Sequence, residues 1–246
     1  MKGQRLKMFV EHDFFIGLRD IDFRNNLKLK SMFSFLEDIG GIHSNIAKYG
    51  LLDIPVKHRS WILLNWKLKF IRRPHYAETL TIKTWSRKAE KIYAYRDFEV
   101  FDENKELVAI ASSKWVLVDT EKLSICKIDE DIMKAYTTED KQVFDEEITK
   151  LAEPTEYADS CETQVTRDMI DINGHVHNLN YIDFASQVIP FEIMRNAKKV
   201  EVMYKKEIKE NSKVKCFYAI EDGCHYAILK SEDENTLHAI IKLKTN

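Results

Sequence analysis

The chain is poor in the residues that staple or punctuate a fold: its 246 residues hold four cysteines, four prolines and seven glycines. Cys126, Cys161, Cys216 and Cys224 show no C-x-x-C spacing and no histidines at zinc-finger intervals, so nothing here resembles a structural zinc site. Cys216 and Cys224 could approach each other across a hairpin, but free thiols are the expectation for a chain without an export signal. No run approaches the roughly 18 apolar residues a membrane-spanning helix needs. The opening MKGQRLKMFVEHDFF turns acidic before an apolar stretch of signal-peptide length develops, so a cytoplasmic location away from membranes is expected. Neither sign of charge is in excess. Thirty-eight Lys and Arg against 40 Asp and Glu leave a net charge of −2, which offers no bulk attraction for nucleic acid.

What the chain does hold is apolar and aromatic. A hydrophobic content of 44%, with 13 Phe, 10 Tyr and 4 Trp, points to a globular core built on aromatic-rich strands. A strand is predicted from Met8 to Leu18, then a polar loop, then a helix from about Leu29. On that helix Met32, Phe35, Leu36, Ile39 and Ile46 form one stripe, breached by Gly40 and Gly41, with Gly50 as a C-cap. Four strands follow, from Trp61, Thr79, Ile92 and Glu106, with turns at Arg87 to Lys91 and Asp102 to Lys105. Leu64, Trp66, Leu68 and Phe70 alternate as a strand with one buried face should.

From Ile128 to Tyr157 the composition turns acidic and polar, which marks a linker with room for one short helix. Beyond it the order recurs: a strand from Glu162, a polar loop, a helix and four strands. The expected division is residues 1–128, a linker over 129–158, and residues 159–246. Laying Asp22 on Asp171 places Leu27 on Val176, Met32 on Tyr181 and Phe35 on Phe184. The same overlay sets Arg24 against Asn173 and Asn26 against His175, so scaffold residues match and reactive ones differ.

The densest polar cluster is Asp171-Ile-Asn173-Gly-His175-Val-His177-Asn178, where a loop enters the second helix. The first N–H groups of a helix lack intrahelical partners, and with the helix dipole they can hold a developing negative charge. A histidine beside them could act as acid, base or donor, which suits acyl transfer. The residues alone equally allow an Asx-type turn with His175 packed at the helix start. No third ligand accompanies His175 and His177, so no metal is expected, and no cofactor either.

The run Asp-x-Asn-x-His-Val-x-Asn-x-x-Tyr, followed by Tyr204-Lys-Lys-Glu207, resembles the acyl-ACP thioesterases of plants and bacteria, as do Arg73-Pro74 and Thr84-Trp85. The resemblance implies an α+β chain of two tandem hot-dog folds, each a long helix wrapped by an antiparallel β-sheet. It implies that the first repeat accommodates the acyl chain and the second is catalytic. It carries the family's catalytic residues onto Asp171, Asn173, His175 and Glu207, the last at the end of the strand after the helix. Where plant members have a cysteine this chain has Ile208, which favours direct attack by water. The usual Val-Asn-Asn reads Val-His177-Asn178 here. The implied partner is acyl carrier protein, which is acidic; Lys198, Lys199, Lys205, Lys206, Lys209, Lys213 and Lys215 could steer it. Trp61, Leu64, Trp66 and Trp85 are candidates for the acyl slot. An acyl-CoA thioesterase, or a non-catalytic acyl-binding sensor, would share this scaffold, and a monomer or a homodimer would satisfy it.

Overall fold

A computed structural model describes residues 9–246; the first residue of the expected opening strand and the start of the segment weighed as a signal lie outside the described residues. The first half runs β1 (Val10–Phe15), α1 (Leu29–Ile46), α2 (Ile54–Lys57), β2 (Arg59–Phe70), β3 (Thr79–Ser86), β4 (Tyr93–Phe101), β5 (Leu107–Asp119) and β6 (Ser124–Ile125). After α3 (Glu130–Tyr136) come β7 (Asp159–Gln164), α4 (Asn180–Val188), α5 (Phe191–Asn196), β8 (Lys199–Tyr204), β9 (Lys213–Glu221), β10 (Cys224–Ser231) and β11 (Leu237–Lys244).

The strands join one 11-stranded sheet in the order β1-β3-β4-β5-β2-β8-β11-β10-β9-β7, with β6 on β5. Read outward from the centre, the two halves repeat the same order, and every pairing is antiparallel. They meet where β2 pairs β8, Asn65 opposite Met203 through Lys69 opposite Lys199. Each half is an open five-stranded layer with an inner edge, β2 or β8, and an outer edge, β1 or β7. Pairing β2 with β8 satisfies both inner edges within one chain.

α1 runs where the apolar stripe predicts. Met32, Leu36 and Ile39 are fully buried, while Ile46 is exposed because the helix ends there. Gly50 is not the cap: Lys48 takes the left-handed conformation (φ 60°). A Cβ on Gly50 would fall 1.8 Å from Asn45 Oδ1, so that glycine serves close approach instead. In β2 the predicted alternation fails at Leu64. A bulge between Leu63 and Asn65 turns Leu63 inward and leaves Leu64 half-buried.

The second helix is not long. α4 stops at Val188 because Pro190 cannot continue it, and α5 restarts at Phe191. The polar segment after α3 holds no further helix or strand, yet it straps the outer face of the sheet. Lys141 O accepts from Trp85 Nε1 at 2.9 Å, Val143 N–H donates to Asp97 Oδ2 at 3.1 Å, and Tyr157 stacks on Phe217. Cys216 pairs across strands with Cys161 rather than Cys224, and all four thiols are free.

Arg73 locks the break in the second helix. Its buried guanidinium, pushed down to about 10 by burial, donates to Leu27 O, Met194 O, Arg195 O and Ala197 O at 3.0–3.3 Å. Arg73→Met is expected to cost about 2 kcal/mol or more, since each buried carbonyl left unpaired costs about 1–3 kcal/mol. Urea unfolding measures it, and an unchanged midpoint would contradict the clamp.

Candidate active site

The two loops that open α1 and α4 are folded alike. Asp22 Oδ1 accepts the N–H groups of Arg24 (2.8 Å) and Asn26 (3.0 Å), and Asp171 Oδ1 those of Asn173 (2.8 Å) and His175 (3.3 Å). Asn25 (φ 66°) and Gly174 (φ 77°) occupy the same left-handed position. Leu27 N–H then bonds Pro74 O, and Val176 N–H bonds Ile208 O, both at 2.8 Å. Extending the second correspondence by one residue sets Arg73 against Glu207.

What surrounds the loops differs. In the first half Arg24 pairs with Glu192 and Phe23 stacks on Phe191, so α5 and the Arg73 clamp close over the loop. In the second half the loop stays open. Asn173, His177 and Asn178 stand on a cavity of about 280 Å³ whose other walls come from the first half, among them Leu36, Glu37, Trp61, Tyr95, Trp115 and Tyr136. Gly40 and Gly41 face this cavity, so the glycines that breach the helical stripe leave room in it.

Burial governs the charges around it. Arg96 is buried with no carboxylate partner among the described residues and is lowered to about 10 by desolvation. It donates to His43 Nδ1 at 2.8 Å, and burial and then the guanidinium push that imidazole down to about 3. Glu37 rises to about 8, first by burial and then by Asp38 beside it. His177, whose Nε2 stands 3.6 Å from Glu37 Oε2, is lowered, chiefly by burial.

Asp171, Asn173 and His175 share one loop, with Asn173 Nδ2 donating to Asp171 Oδ2 at 3.3 Å. Asn173 reaches the cavity directly. Glu207 lies beyond the end of β8 rather than on it, exposed in a separate polar depression with Lys206, Lys209 and His238. Its segment is held by Tyr181, whose hydroxyl accepts Ile208 N–H at 3.1 Å. Among the described residues no hydrogen bond joins the Glu207 carboxylate to His175.

The helix-start amides expected to point outward do not. Leu179 N–H donates to His177 Nδ1, and the N–H groups of Asn180, Tyr181 and Ile182 turn back onto the carbonyls of His177, Asn178 and Leu179. Tight turns at the α4 entry consume the donors. Of the candidate slot residues Trp61 lines the cavity, whereas Trp66 and Trp85 are buried in packing. Among the lysines, Lys213 pairs with Glu162 and Glu232 and Lys215 with Glu234, while Lys205, Lys206 and Lys209 are exposed. Among the described residues no group of three His, Cys, Asp or Glu side chains could hold a metal.

The sequence profile of the acyl-ACP thioesterase N-terminal domain matches residues 7–136, and that of the acyl-ACP thioesterase C-terminal domain matches residues 151–245. The chain belongs to the acyl-ACP thioesterase family. Among its relatives is the chloroplastic oleoyl-acyl carrier protein thioesterase of Coriandrum sativum, 22% identical over 74% of this chain and 54% of that protein. Oleoyl-acyl carrier protein thioesterase 1 of Arabidopsis thaliana is 25% identical over 64% of this chain and 47% of that protein. The chain thus spans about half the length of these curated relatives. Two solved structures share its fold. An acyl-ACP thioesterase from Bacteroides thetaiotaomicron superposes with a TM-score of 0.86 at 16% identity, over 96% of this chain and 97% of that one. The 12:0-ACP thioesterase from Umbellularia californica gives 0.86 at 16% identity, over 98% of each. The hot-dog architecture, in tandem, is therefore this family member's fold. Glu37 went unnoticed in its sequence because a lone glutamate beside an aspartate on a helix reads as solvated surface.

Proposed function

We propose that this chain hydrolyses the thioester of fatty acyl-acyl carrier protein, releasing free fatty acid and ending chain elongation in fatty acid biosynthesis. The observation that carries the reading is the shared cavity: Asn173 and Asn178, from the polar loop of the second half, face the same space as Leu36, Trp61 and Trp115 of the first. Thioester hydrolysis needs that combination of a polar reacting end and an apolar slot. In this reading Asp171, Asn173, His175 and Glu207 carry the chemistry. Asp171 or Glu207 activates water, and Asn173 and His175 orient it or the thioester. The N–H groups of Leu179, Asn180, Tyr181 and Ile182 already have partners, so the donor to the carbonyl oxygen comes from other groups at the cavity. The expected setting is the cytoplasm.

A free-thiol assay over a panel of acyl chains, each on the carrier protein and on CoA, tests the reading. Thiol release is expected to favour the carrier-bound form. The exposed Lys205, Lys206 and Lys209 support attraction of an acidic partner, so kcat/KM should fall as salt rises above ~0.1 M, where screening sets in within about 10 Å. Binding without thiol release would make the chain a sensor, and a preference for CoA would change the partner.

A further inference from the structure

Arg96 stands in the middle of β4, its backbone paired to Ser86 on one side and Ser113 on the other, and it lines the cavity that Asn173 shares. Its side chain lies over α1: a Cβ placed on Gly40 would fall 3.6 Å from Arg96 Cδ and 3.7 Å from its Nε. Among the described residues Nη1 alone is engaged, donating to His43 Nδ1 at 2.8 Å and to Thr84 Oγ1 at 3.4 Å. Nε and Nη2 are left over, and they lie on one edge of the guanidinium. The described side-chain nitrogens and oxygens that are fully enclosed without a partner are Glu37 Oε1, Trp66 Nε1 and Arg195 Nε, and none belongs to Arg96. With 7% of its surface open, Arg96 therefore turns its unpaired N–H groups to the cavity.

Among the described residues no anion answers this charge. The Tyr136 ring lies 5.8 Å from Arg96 Cζ. Asp97, next in sequence, points to the other face of the sheet, where Ser112 and Val143 N–H bond it. Glu37 lines the same cavity but makes no ion pair with Arg96, and burial, raising it to about 8, keeps it protonated at neutral pH. A guanidinium does not shed its proton. A plain alkyl chain laid across it would seal unpaired donors away from water, which is costly. A carboxylate would instead take two parallel hydrogen bonds from the Nε and Nη2 edge.

The position of the charge sets the kind of chain. Glu37 marks the reactive end of α1, its Oε2 standing 3.6 Å from His177 Nε2. Gly40 and His43, the α1 residues beside the guanidinium, follow about 5–9 Å further along the helix axis. Leu36, Trp61 and Trp115 supply apolar wall for the methylenes.

We propose that Arg96 binds a carboxylate at the far end of the acyl chain, so that the preferred substrate is the half-thioester of a dicarboxylic acid with a short methylene spacer. The inference rests on the hydrolase reading and names the substrate class of the same cavity. The far carboxylate is held and not changed. Water adds to the acyl carbon, the C–S bond breaks, and the carrier leaves as its thiol.

The test is a free-thiol assay on carrier-linked chains of equal carbon count: half-thioesters from glutaryl to azelaoyl, unsubstituted acyl chains, and ω-hydroxyacyl chains as neutral controls. The parent should favour the half-thioesters in kcat/KM by about 10–100-fold, the scale of hydrogen bonds to a charged group. Arg96→Met should invert the preference, losing the half-thioesters and gaining on unsubstituted chains, a gain that an unfolded variant does not show. Arg96→Lys keeps a cation without the fork and should keep the preference in weaker form. A parent that favours unsubstituted or ω-hydroxyacyl chains would overturn the proposal even if Arg96→Met failed to fold. A preference for half-thioesters that survives Arg96→Met would overturn it too. A parent that releases no thiol from any chain would instead remove the hydrolase reading, and the anion site is then judged by binding. The S-ethyl half-thioester of suberate, but not S-ethyl octanethioate, should raise the Tm of the parent, and equal shifts would overturn the site.

Discussion

Asp171→Ala is expected to lower kcat by about 10²–10⁴-fold, the range for loss of an acid or base group, while Asp22→Ala leaves turnover close to the parent's. The two aspartates do the same structural work, each accepting two backbone N–H groups across a loop with one left-handed residue. Removing either should therefore cost similar stability, about 0.5–1.5 kcal/mol for each hydrogen bond lost. Only the second loop also opens onto the cavity, through Asn173, so only there does the change reach the reacting groups. Asp171→Asn separates shape from charge, since its amide oxygen can still accept both N–H groups. Steady-state kinetics with matched urea titrations decide the matter. Equal kinetic losses at Asp22 and Asp171 would show that the loops act only through folding. Full activity in Asp171→Asn would transfer base duty to Glu207.

Trp66→Ala should cost about 3–5 kcal/mol, the range for emptying a large buried aromatic site. Trp66 is 1% exposed and sits between Phe33 of α1 and Phe98 of β4, with ring centroids 5.4 Å from each. It stands on β2, which pairs β5 on one side and Val202 of β8 on the other, so its loss weakens the seam as well as the core. Trp61 lies on the same strand but lines the cavity and is only half-buried. Trp61→Ala should therefore cost less. Urea midpoints of the two variants give the comparison, and a loss under about 1 kcal/mol at Trp66 would mean that the site collapses around the gap.

Much of this architecture could be read from residue order. β-branched and aromatic runs between turn pairs marked the strands, because strand propensity and turn chemistry act locally. The Asp22 and Asp171 overlay is matched bond for bond by the two loops. The misreadings have local names. Period-2 reasoning could not see the bulge that displaces Leu64, and Pro190 follows the end of the second helix at Val188, where the resemblance implied a long one. Gly50 looked like a cap but is required by Asn45 close to it in space.

The functional asymmetry between the halves was only half legible. Arg24 against Asn173 set the loops apart in the chain and pointed to the second as the one where the proposed chemistry would lie. That Arg73 and α5 close over the first loop, while the second faces a cavity, follows from contacts between segments distant in sequence. Residue order by itself determined the repeated units, their strands and the loop holding Asp171, Asn173 and His175, since these depend on neighbours a few positions away. Tertiary structure alone decided that Glu37 stands beside that loop with a buried oxygen that has no hydrogen-bond partner among the described residues. Desolvation is set by what surrounds a group in space, and no local pattern encodes it.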